Sequence, residues 1–138
     1  MAGTHTVVSR EFVAYSKAKD AKRVEIVTTL FTADSADASV PTLSLPLAGF
    51  VLKVVTNPGS TAPSANYDIS VTDPEDSALD ALATLLNNRH TSTTEQVYPL
   101  ISGGAVPIFL AGTYGIAVAN NAVNSATGRI IFYLVDSL

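Results

Sequence analysis

His5 and His90 are the two imidazoles of the chain. A serine hydrolase would need one of them beside a serine nucleophile and a carboxylate. No Gly-x-Ser-x-Gly nucleophile elbow occurs, so hydrolysis is not expected. Asp73, Glu75, Asp76 and Asp80 form a dense acidic group. They lack the central glycine and terminal glutamate that a helix-loop-helix calcium loop uses, and helix capping accounts for their position. Asp68 and Asp73 could face a common ion, but nothing in their spacing demands it. Gly103-Gly104 could turn backbone N–H groups toward an anion, although a glycine pair more commonly makes a tight turn. With no cysteine, thiolate catalysis, Cys-based zinc sites and disulfides are excluded. There is no tryptophan, and most of the five tyrosines and five phenylalanines fall within strand-like runs, which leaves little for stacking on sugars. The expectation is therefore no enzyme, no metal and no cofactor.

Charge is more informative. Arg10, Lys17, Lys19, Lys22 and Arg23 are five of the eight basic residues and lie within the first 23 positions, against only Glu11 and Asp20. They mark either a solvated turn between two strands or an electropositive surface that docks on an acidic neighbour. These five are the candidate contact residues. A formal net charge of −4 argues against nucleic acid as the main partner. The charged fraction is 14%, where soluble domains typically hold about 25%. Small neutral residues fill the difference, and such a surface can be buried in subunit contacts without stranding ions. No apolar run approaches the roughly 18 residues of a bilayer span, and residues 1–5 carry no apolar signal core, so neither a membrane nor the common secretion route is expected.

The elements that must position these residues are mostly strands. Thr6 to Tyr15 and Arg23 to Thr32 are rich in Val, Ile and aromatic residues, and the second is apolar on both faces, as at a sandwich interior or a subunit contact. Pro41 and Pro46 exclude a central strand across Ala33 to Ala48, which reads as an ordered loop or an edge strand. Phe50 to Thr56 and Tyr67 to Asp73 flank a loop with Pro58, Gly59 and Pro63, which predicts a hairpin with a long tip. Asp73 as N-cap, Pro74 in the first turn and Leu79, Leu82, Ala83 and Leu86 at helical spacing predict a helix ending near Asn87-Asn88. Shorter strands follow at Val97 to Ile101 and Val106 to Leu110. Tyr114 to Asn120 and Arg129 to Val135 predict a C-terminal pair.

The count favours a mainly β fold, a two-layer β-sandwich of jelly-roll-like type with one short α-helix. Residues 1–22 are expected as an N-terminal arm or first edge strand and 23–138 as the sandwich domain.

Asn57-Pro58-Gly59 through Pro63 to Asn66-Tyr67-Asp68-Ile69, Asn88-Arg89 through Thr94-Glu95-Gln96-Val97-Tyr98-Pro99, and Asn124-Ser125-Ala126-Thr127-Gly128 before the last apolar run together resemble small structural proteins of tailed bacteriophages. The likeness covers about residues 50 to 135 and rests on turn and strand motifs without chemistry of their own. It implies a capsid decoration (cement) protein: a homotrimer on the capsid exterior, made in the host cytoplasm, whose partner is the major capsid protein and whose N-terminal region reaches neighbouring capsomers. A head-tail connector, tail-tube or fibre-attachment subunit is the alternative within the virion. A carbohydrate-binding β-sandwich on the virion surface is the alternative from another class.

Overall fold

The computed structural model describes residues 1–14, 23–101 and 104–136. Nine strands form among them: β1 (Thr4–Ala14), β2 (Arg23–Thr32), β3 (Leu43–Pro58), β4 (Asp68–Thr72), β5 (Glu95–Val97), β6 (Leu100–Ile101), β7 (Gly104–Ala105), β8 (Ile108–Ala119) and β9 (Thr127–Val135). Seven make one antiparallel sheet in the order β1-β2-β9-β3-β8-β4, with β5 paired to the C-terminal half of β3; β6 and β7 form a separate ribbon.

The 16-residue β3 ties the sheet together. Its first half pairs with β8 through Leu43–Val51, and its second half pairs with β9 through Phe50–Pro58. Leu45, Leu47 and Val51 point into the core, after which the register shifts between Val51 and Lys53, so that Val54 and Thr56 take over the buried positions. An extra residue of this kind bends a strand and increases its twist. Gly49, at φ 126°, precedes the bulge, and a Cβ there would stand 2.8 Å from the Val135 carbonyl oxygen. The bend brings side chains from both halves, Phe31 and Phe132 on one side and Leu110 and Ile116 on the other, into one core cluster.

This corrects the expected two-layer jelly-roll-like sandwich with one short α-helix. The fold is mainly β, but seven of its nine strands form a single bent antiparallel sheet, with β6 and β7 apart from it, and no helix forms among the described residues. Residues 73–89 make successive turns, closed by i to i−3 bonds from the N–H groups of Leu79, Ala83, Leu85 and Asn87. Ala83 and Thr84 adopt φ 51° and 62°, which a right-handed helix cannot contain. Other groups of the segment bond to β4: Ala81 N–H donates to the Val71 carbonyl, and Ile69 N–H donates to the Leu86 carbonyl. Leu82 and Leu86 are buried, as their spacing suggests, whereas Leu79 is exposed.

The strand partners are also corrected. β3 and β4 are not a hairpin, because β8 lies between them; β8 and β9 are not a pair, because β3 lies between them. Leu43–Leu47 belongs to β3 despite Pro46. Along that stretch β3 has β8 as its single neighbour, so a missing N–H is tolerated as on an edge strand.

Candidate interaction surface

The β1–β2 hairpin carries the two candidate contact residues within the described chain. Lys17, Lys19 and Lys22 lie outside the described residues, as does Gly103 of the glycine pair. Arg10 pairs in register with Val27 and Arg23 with Ala14. Arg10 is occupied within the chain: its guanidinium donates to Glu25 Oε1 at 2.8 Å and to the Pro46 carbonyl at 2.8 Å. Arg23 is exposed and stands over the Phe12 ring at 4.9 Å. The structure therefore gives these two arginines different tasks, one tying the hairpin to β3 and the other facing solvent.

Beside them runs an open groove of about 470 Å³, lined by Arg10, Phe12 and Glu25 on one wall and Pro46, Ala48 and Thr113 on the other. Among the described residues β1 stands at the end of the sheet order with β2 as its single partner, and Val7, Val8, Phe12 and Val13 are exposed on it. The opposite end of the sheet is different. β4 has its outer edge covered by residues 79–89, through the Tyr67–Arg89 and Thr72–Asp80 bridges and the bonds described above. An uncovered edge of 11 residues offers a row of backbone donors and acceptors to another chain. A strand at this position is legible in the sequence, and the exposed apolar side chains on it are not among the candidate contact residues. The imperfect alternation of Val7-Val8 and Phe12-Val13 was the available signal.

The groups considered for chemistry serve the fold. His5 is buried, with Nε2 3.3 Å from Thr29 Oγ1 and Nδ1 without a hydrogen-bond partner. Burial holds its pKa below the usual histidine value, against a weaker opposing pull from the Pro41 and Ile116 carbonyls. His90 Nδ1 accepts the N–H groups of Ser92 and Thr93 at 3.1 and 2.9 Å and so closes a turn. Asp73 Oδ1 accepts from Glu75 and Asp76, and Asp76 Oδ1 from Ala78. Asp80 holds the N–H groups of Val71, Leu82 and Thr84. Asp68 holds the N–H of Asn88 and the side chain of Asn120. No group of three or more potential metal ligands occurs among the described residues. Tyr67, fully buried, has its pKa pushed up to about 12, first by burial and then by the Glu95 carboxylate.

No family profile matches the chain, and no curated protein matches it. Among solved structures it is similar to a chain titled "Cyanophage Pam1 capsid asymmetric unit", with 21% identity, a TM-score of 0.43, and coverage of 90% of this chain and 92% of that one. A likeness of that degree carries no argument about what this chain does.

Proposed function

We propose that this protein is a structural component of a virion, a decoration protein that binds the major capsid protein on the outside of the phage head and stabilises the shell. The observation that carries the reading is the uncovered β1 edge with Val7, Val8, Phe12 and Val13 exposed on it, in a molecule whose other sheet end is covered. Shell stabilisation needs contact area and rigidity, and no reacting centre. The carboxylates and imidazoles described above are spent on turns and strands, which fits that requirement. Low charge lowers the desolvation cost of a broad contact, and several copies engaged at once gain avidity. The turn and strand motifs in residues 50–135 add the phage resemblance, from which the exterior position is taken.

Cryo-electron microscopy of particles assembled with and without the protein tests the reading. Ordered density for this sheet at repeated positions on the outer shell is the expected result. Saturated particles that show none, or density confined to the tail or its connector, would refute the decoration role.

A further inference from the structure

The face of the sheet turned away from the core carries a pattern that matches itself. Val27, Phe132 and Val54 form one row of register partners across β2, β9 and β3, and all three are fully buried. By strand alternation the neighbouring row, Glu11, Ile26, Tyr133 and Lys53 on β1, β2, β9 and β3, points to the opposite face. That row reads acid, apolar, apolar, base. Ile26, Tyr133 and Lys53 are half-buried, and Glu11 is exposed. The Lys53 ammonium lies 4.7 Å from the centre of the Tyr133 ring, which holds it over this face, and it donates to Gln96 Oε1 at 2.8 Å. The ion pairs among the described residues are Arg10 with Glu25 and Arg89 with Glu95, so neither Glu11 nor Lys53 has a charged partner there. The next row on the same face continues with Thr28, Ile131 and Val55, none of them charged, and the row beyond it holds Leu30, Arg129 and Asn57.

We propose that this face packs against the same face of a second copy about a two-fold axis that lies between the two sheets and runs along the strands, midway between β2 and β9. Such an axis places β1 opposite the second copy's β3, and β2 opposite its β9. Glu11 then meets Lys53 of the partner subunit, and Ile26 meets Tyr133 of the partner subunit, each contact occurring twice as an isologous interface requires. An axis across the strands would set β1 over β1 and lose both ion pairs. Sheets packed in this way lie about 10 Å apart, a gap that glutamate and lysine side chains bridge. Four strands at about 4.8 Å spacing and roughly eight residues of length give about 500 Å² per copy, so the pair buries on the order of 1,000 Å². That meets the lower bound for a specific interface.

Sedimentation velocity on the full chain from about 1 to 200 μM tests the pairing. The mass is expected to rise toward twice 14.4 kDa. Glu11→Lys and Lys53→Glu should each weaken association about tenfold, and the two together should restore it to within about threefold, because the reversed charges face each other again. Where either reversal lowers the thermal midpoint, Glu11→Gln and Lys53→Met give the same reading at about threefold each. A single-copy mass at every concentration, a mass of three copies, indifference to the single changes, or failure of the double change to restore would each overturn it. The inference stands apart from the virion reading, since a monomer that still decorated capsids would remove the pairing and leave that reading intact.

Discussion

His5 illustrates how a residue with reactive potential becomes a structural one. It sits 7% exposed at the β1–β2 contact, edge-on to Phe31 with ring centroids 6.1 Å apart. Its folded pKa lies below the unfolded value of 6.5, so the unfolded chain binds the proton more tightly. Stability should therefore be flat well above pH 6.5 and fall as the pH drops through 6.5 toward the folded pKa. Thermal midpoints measured from pH 8 to 5 should show this decline in the native protein and lose it in His5→Phe; an unchanged slope in the variant would assign the dependence elsewhere. Gly128 shows the opposite constraint, where a missing side chain is required. A Cβ there would stand 2.6 Å from the ζ carbon of the fully buried Phe31. Gly128→Ala is expected to cost about 1–3 kcal/mol in urea unfolding, since a ring locked in the core must shift.

At the scale of elements, residues 73–89 are the instructive case. Asp73-Pro74-Glu75-Asp76 and the leucine spacing are legitimate helix signals, and Asp73 does cap the N–H groups of Glu75 and Asp76. The turn chemistry was thus legible, while the continuation was not. Asp80 competes for the backbone donors that a helix would use, and the edge of β4 competes for the rest. Asp80→Ala should leave three backbone N–H groups without that acceptor and destabilise by about 2–4 kcal/mol, more than an ordinary surface change. Asp80→Asn, which keeps one acceptor oxygen, should cost roughly half as much. Far-ultraviolet circular dichroism of the native protein should lack a helical minimum near 222 nm; a clear helical band would contradict the turn assignment.

For the whole molecule, the β1 edge carries the functional prediction. Val8 and Val13 are 51% and 46% exposed, so Val8→Lys with Val13→Lys should leave the melting temperature nearly unchanged. The same pair of changes should reduce co-sedimentation with empty capsids at least about tenfold, as charges enter an edge contact. Full retention would move the contact off this edge. The sequence by itself determined where most strands run and, where polar and apolar residues alternate, which side chains turn inward, because strand alternation is local: Ile69 and Val71 are buried as their spacing requires. It also determined the absence of cysteine chemistry and the low charge. Only the tertiary structure decided which strands are neighbours. β8 separates β3 from β4, and β3 separates β8 from β9, through pairings between residues far apart in the chain, as when the Thr29 hydroxyl donates to the Ile130 carbonyl. Local pattern cannot rank such partners, since each strand presents equivalent backbone donors and acceptors, and the choice rests on how one bent strand, β3, divides its edges between two halves of a single sheet.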